Sequence, residues 1–419
     1  MAHLIYLLLT IICCHALAQA WKSRQFSAHD GFVLGALYFF LLPSLLTVVA
    51  GPIEAEGLPI DLFTGERLDI ALYTALCVLP LVLYALARPP AETPGHADTG
   101  RFKFYFWIAI TVAVMTFLAS GKNEGKHWAD SSTTDGLLPN LLSVLLLVLR
   151  TYIFALGILT LGHFRPAIYY LVAYTFVDIF LTGNRIAALY LAVTVIFSGA
   201  YPMRRLFLPA IALSIPTILF LSMYPAFRGV LWSEFGGFSG ITSAAIYVYK
   251  NFDFGTLNGR FIWYFFEAAN TAVFQYLFDA YGHAHDLLDG ATVLIKPLSL
   301  FIPRDMWPDK PEGLGIRLGP EISGYEGLSL NSLLLGEFWA NFGWYAPIAL
   351  AAIMLLVLSA NRFIAVLHRD DVVRFGFLLG FASWRHEFNY FVFSLIAGCG
   401  LVLALDPIAS KFSQRAEAA

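Results

Sequence analysis

The sequence predicts an all-α membrane protein, a polytopic helical bundle of about eleven spans, carrying one long loop of short amphipathic helices. Three observations lead there. Hydrophobic residues make up 58% of the 419 positions and charged residues 13%, against about 25% charged in a typical soluble domain. Apolar runs near 20 residues recur along the chain, the length a helix needs to cross the hydrocarbon core. The basic residues of the short loops alternate between rich and poor, as the positive-inside rule requires.

The runs fall at 3–21, 31–52, 68–88, 103–120, 137–162, 166–182, 184–200, 203–224 and 343–361. The stretch 373–405 has room for two shorter passes. They break at Trp384-Arg385-His386-Glu387, because that polar cluster is costly at the bilayer centre. Spans 1–8 thus occupy 1–224 and spans 9–11 occupy 328–419. One set of alternate loops carries 13 Lys and Arg, from Lys22 and Arg24 to Lys411 and Arg415; the other short loops carry 5, namely Arg67, Lys122, Lys126, Arg185 and Arg385. The first set is therefore expected in the cytoplasm, with the N-terminus outside and the C-terminus inside. Ala16-Leu17-Ala18 looks like a signal-peptidase site, but no Lys or Arg precedes the apolar stretch and two follow it, so a retained first helix is expected.

The segment 225–327 between the eighth and ninth spans is too long for a structureless loop. It is expected outside, as amphipathic helices at 240–249, 260–281 and 287–301 joined by Gly- and Pro-rich turns.

Some function classes drop out. A net charge of −3 gives no basic field for nucleic acid. Cys13, Cys14, Cys77 and Cys399 all lie in apolar runs without metal-knuckle or disulfide spacing. There is no P-loop, dinucleotide fingerprint or serine elbow.

The chemistry is expected where charge gathers. Arg228, Lys250, Arg260, Lys296, Arg304, Lys310 and Arg317 crowd the long loop, and Arg185 stands at the mouth of the seventh span. Arginine outnumbers lysine 18 to 8, and guanidinium forks match diphosphate oxygens. An anionic ligand at the membrane surface would explain the grouping; solvated or headgroup contacts are the plain alternative. In Phe301-Ile302-Pro303-Arg304-Asp305-Met306-Trp307-Pro308-Asp309-Lys310-Pro311, three prolines stiffen the chain and fix Arg304 and Lys310, or simply make a rigid connector. Asp253 lies in a turn-rich entry to a helix containing Arg260 and Glu267, seven apart on one face, which could pair with each other. Glu337 and Asn341 share a face at the entry to the ninth span. Glu337 could take a proton from a sugar hydroxyl, or form a salt bridge to one of the arginines, which would weaken it as a base. His386 is an alternative base. His283, His285, Asp286 and Asp289 are more readily a polar loop than a metal site, and no metal is assigned to them. Arg150 sits mid-span in the fifth helix. Measured from the outer helix ends it lies about 20 Å deep and Asp178 about 6 Å, so a direct pair would need tilt, and Arg150 could face a cavity instead.

Asp253-Phe254-Gly255 through Arg260, Ile302-Pro303-Arg304, Trp307-Pro308-Asp309-Lys310-Pro311, Gly336-Glu337 and Asn341-Phe342-Gly343, with Thr182-Gly183-Asn184-Arg185, resemble the O-antigen (Wzy-type) repeat-unit polymerases. The resemblance covers the multi-span layout and is strongest from about 180 to 345; the first 130 residues carry little of it. It implies a GT-C-like glycosyltransferase of the bacterial inner membrane, related in mechanism to O-antigen ligase. Such an enzyme moves a glycan from undecaprenyl diphosphate to another lipid-linked repeat at the outer leaflet, without nucleotide sugar or cofactor. Implied partners are the lipid-linked oligosaccharide, membrane lipid, a flippase and a chain-length regulator. On that reading Arg185, Arg260, Arg304 and Arg317 face diphosphate, with Arg228 and Lys310 behind them. Glu337 is the base ahead of Asp253 and His386. A ligase, a lipid-linked oligosaccharide flippase and a structural subunit are the alternatives. A flippase needs polar groups along several spans, whereas only Arg150 and Asp178 stand out there.

Overall fold

In the computed structural model the described residues are all but 24–25, 56–57, 88–97, 120–136, 183–185, 202–239, 252–262, 264, 300–301, 303–305, 325–328, 367–369 and 419. Among them the chain is all-helical, with only two isolated β-bridges. In chain order the helices are α1 (Ala2–Ser23), α2 (Ala28–Ala50, with a π-turn at Leu37–Leu41), α3 (Leu68–Ala87), α4 (Thr99–Ala119) and α5 (Leu137–Thr160). Then come α6 (Ala167–Thr182), α7 (Ile186–Phe197), α8 (Ile241–Asn251), α9 (Ala269–Ala280), α10 (Lys296–Ser299) and α11 (Leu314–Ser323). The last are α12 (Leu333–Phe342), α13 (Ala346–Val366), α14 (Asp370–Ala382) and α15 (Phe388–Ala418).

Among the described residues seven helices are long and apolar enough to cross a membrane, α12 and α13 counting as one through the 3-10 turn Gly343–Tyr345. The expected count of about eleven is not confirmed among the described residues. α6 and α7 are apolar but shorter, and the expected span at 203–224 lies outside the described residues. The break expected at 384–387 is present between α14 and α15.

The chain divides into two compact units, Met1–Pro94 with Phe266–Ile396, and Gly95–Phe265 with Ala397–Ala419. The division at 265/266 falls inside the segment 225–327.

In the first unit α2 begins where Asp30 accepts hydrogen bonds from the Ser27 N–H at 2.7 Å and the Ser27 hydroxyl at 2.8 Å. It ends at Gly51, whose φ of 84° stops a helix at little steric cost. α14 lies tightly along α2: a side chain at Gly31 would fall on the Phe377 carbonyl, and one at Gly380 on that of Ala28. Small residues let these backbones meet, as in membrane helix pairs generally. Arg374 on α14 donates to the Phe26 carbonyl and lies 5.5 Å over its ring. α9 packs on α12 through aromatic rings, with Phe278 stacked on Trp339 at 4.0 Å and Tyr73 of α3 edge-on to Trp339. Gly336 keeps that approach open, since an added Cβ would lie 2.8 Å from Leu277 Cδ1. The Tyr73 hydroxyl donates to the Leu335 carbonyl at 2.9 Å.

The second unit contains α4–α8 and the last part of α15. Here Arg150 and Asp178 pair directly, with Nε–Oδ2 at 2.7 Å and Nη2–Oδ1 at 2.8 Å, and both are buried. This corrects the depth argument. α5 and α6 differ in length, so their far ends are a poor ruler. Measured from their short connection, Arg150 is ten positions before Thr160 and Asp178 eleven after Ala167. That puts them at about 15 and about 16 Å, nearly level. Arg150 therefore spends its fork on Asp178 rather than on a cavity.

Candidate active site

The polar centre of the first unit forms around the head of α12. Ser332 and Leu333 introduce the helix, and Leu333 has a φ of 56°, a left-handed backbone unusual for a branched residue. Glu337 follows one turn later and is fully buried. Its Oε2 accepts the backbone N–H of Phe388 at 2.5 Å, the first residue of α15. Its Oε1 is buried and falls short of a full hydrogen bond among the described residues, with the Thr292 hydroxyl beside the carboxyl. Such an atom is costly to keep in a folded chain and calls for an explanation. Asn341, one turn further along α12, donates to the Glu337 carbonyl at 2.7 Å and to the Thr292 hydroxyl at 2.7 Å, and its Oδ1 accepts the Thr292 N–H at 3.2 Å. The shared face read from the sequence is thus present, and Asn341 ties it to the π-turn Ala291–Ile295.

No arginine salt-bridges Glu337 among the described residues; its charged neighbours are Glu387 and Lys296. Lys296 Nζ donates to Glu387 Oε2 at 2.8 Å, with the two side chains 13% and 9% exposed. Glu387 also accepts from the Gly315 N–H at 2.7 Å and from Asn389 Nδ2 at 3.0 Å. Gly313 and Gly315 press on this pair. A side chain at 313 would land on the Lys296 ammonium and the Glu387 carboxylate, and one at 315 would come within 2.6 Å of the Leu330 carbonyl. Residues 306–313, which contain the Trp307–Pro311 motif, therefore run directly onto the Lys296–Glu387 pair.

A second polar group lies where α9 meets α11. Tyr276 and Tyr281 donate their hydroxyls to Glu321 at 2.8 and 3.1 Å, and His285 Nε2 is 3.4 Å from Glu321. Burial, then the Glu321 carboxylate, pushes the Tyr276 phenol up to about 12. The same causes in the same order raise Tyr281. Arg317 is exposed on α11, on the side of Tyr281. Among the described residues no group of three metal-ligating side chains comes together, so His283, His285, Asp286 and Asp289 do not form one.

The remaining expected residues divide. Arg185, Arg228, Asp253, Arg260 and Arg304 lie outside the described residues. Lys310 is half-buried, and its Nζ donates to the Ile302 carbonyl at 3.1 Å within its own segment. Glu267, expected opposite Arg260, pairs with Arg385. His386 is half-buried with its ring 5.7 Å from that of Tyr390. Sequence reading missed the pairing of Lys296 with Glu387. One was counted only as a loop cation, the other only as part of a polar break, and 91 positions separate them.

Comparison with protein-family models, curated proteins and solved structures found no match for this chain.

Proposed function

We propose that this chain is an integral membrane glycosyltransferase. It joins undecaprenyl-diphosphate-linked oligosaccharide repeats into a surface polysaccharide at the outer leaflet of a bacterial inner membrane, with its N-terminus outside and its C-terminus cytoplasmic. The observation that carries this reading is Glu337: a fully buried carboxyl that meets no arginine among the described residues and has one oxygen short of a full hydrogen bond, at the head of a membrane-length helix. A chain-length regulator and a flippase would be its working partners.

The reaction breaks the bond between the donor's anomeric carbon and a phosphate oxygen, and the electron pair leaves with the lipid diphosphate. An acceptor sugar hydroxyl attacks that carbon, and Glu337 takes its proton. Negative charge grows on the diphosphate, where fixed guanidinium groups in a poorly hydrated site are most effective. Arg185, Arg260 and Arg304 are proposed for that role, with Arg228 and Arg317 contributing. Lys310 is a weaker choice, since it already donates within its own segment.

The test is a gel of surface polysaccharide from a deletion strain complemented with wild type, Arg304→Ala or Arg304→Lys. Glycan stopping at one repeat unit, with a ladder restored by wild type only, supports the reading. A point charge cannot form the fork, so Arg304→Lys should also be severely impaired. Polymer made but not attached to its final acceptor would indicate a ligase. Lipid-linked repeats trapped inside would indicate a flippase. A normal ladder from Arg304→Ala removes that residue from the mechanism.

A further inference from the structure

A general base must meet its substrate, yet Glu337 has no exposed surface in this structure. Gly313 and Gly315 lie against the Lys296–Glu387 pair, and the strap they belong to, residues 311–315, is held by the Gly315 N–H on Glu387 and by the Leu330 N–H on the Gly315 carbonyl at 3.0 Å. The next residue after Glu387, Phe388, supplies the N–H that holds Glu337. Two adjacent residues therefore grip the strap and the carboxyl respectively. Movement of one is felt by the other through a single peptide unit, which is planar and stiff.

We infer that Glu387, anchored by Lys296 and Asn389, is the positioning residue of this site: it latches the strap 311–315 over Glu337, and Glu337 becomes reachable when the latch opens. The inference rests on the proposed role of Glu337 as base, but the closure itself is tested without any glycan. Glu387 has the partners a latch needs. Its Oε1 serves the strap, and its Oε2 serves Lys296 and Asn389. Replacing it by Gln keeps the size and an acceptor but removes the ion pair. A methyl at position 313 would have to push the Lys296 ammonium and the Glu387 carboxylate aside.

The experiment is carboxyl labelling of the purified full chain in detergent, using a water-soluble carbodiimide with glycine ethyl ester, read by peptide mass spectrometry. Asp30, buried in the same unit on α2, is the reference. Wild type should leave both residues unlabelled. Glu387→Gln and Gly313→Ala should each label Glu337 at least tenfold faster while Asp30 stays protected. Unchanged protection of Glu337 in both variants overturns the latch. Equal labelling of Glu337 and Asp30 also overturns it, since that is general loosening. Ready labelling of Glu337 in wild type shows that no closure exists. A selective response combined with full polymer from a Glu337→Gln strain would leave the latch standing and remove Glu337 as the base instead.

Discussion

Replacing Arg150 by Met should destabilise the protein without touching its chemistry. The structure sets the scale. Arg150 and Asp178 side chains are 5% and 0% exposed and meet through two contacts at 2.7 and 2.8 Å. Removing the guanidinium takes from a buried carboxylate the counter-charge that meets it through both contacts, which costs about 3–5 kcal/mol. Replacing both partners by apolar residues, as in Arg150→Met with Asp178→Leu, removes the uncompensated charge and should recover all but about 1–2 kcal/mol of that loss. The assay is equilibrium unfolding in mixed detergent micelles, on wild type, both single variants and the double, closed as a double-mutant cycle. The coupling should be at least about 2 kcal/mol, and polymer from any variant that reaches the membrane should be of normal length. A single variant as stable as wild type would refute the reasoning. So would a double variant no better than the worse single.

Further outcomes follow from the same geometry. Glu337→Gln keeps an acceptor for the Phe388 N–H, so the chain should reach the membrane, while polymer output falls by about 10²–10⁴-fold, the usual worth of general-base catalysis; the surface-polysaccharide gel reads it, and a normal ladder removes Glu337 as base. Gly31→Ala pushes a methyl onto the Phe377 carbonyl, so α2 and α14 must part; the loss should be about 1–3 kcal/mol, seen as a lower thermal midpoint. Tyr276 is raised to about 12 from an ordinary 10.0, so the fold favours its neutral phenol. Its contribution should be complete below pH 10 and be lost as pH climbs towards 12, and Tyr276→Phe should lessen the alkaline loss of stability in that window, read as thermal midpoint against pH.

Much of the helical layout was legible because lipid imposes a crude length code. Apolar runs near 20 residues became α1 to α5 with ends shifted by a few positions. The polar break at 384–387 was legible for the same reason, since charge is costly where water is absent. α11 was not. Its Gly315, Gly319 and Pro320 read as turn residues, yet Gly315 is a contact glycine, chosen so that Leu330 and Glu387 can approach the backbone. Local propensity cannot report such a tertiary demand. Within the site, Glu337 and Asn341 were found by their four-residue spacing, which helix geometry makes visible. Lys296, Glu387 and Gly313 were not, because their relation is set by packing across the unit and no spacing rule links them. Arg150 was misplaced by a choice of ruler. Charge depth in a hairpin is better measured from its short connection, which both helices share.

The bond from Phe388 N–H to Glu337 also makes Glu337 a surrogate cap. A helix leaves its first amides without partners, and the residue just before the helix normally supplies one from its own side chain. Before α15 that residue is Glu387, whose carboxylate is committed to Lys296, Asn389 and Gly315. Glu337, 51 positions away, accepts the first of those amides instead. The start of a 31-residue helix is thus defined by a group from another helix. When Glu337 turns to a different partner, the first turn of α15 loses its cap and is free to fray, so events at one carboxyl are written into where the last helix begins.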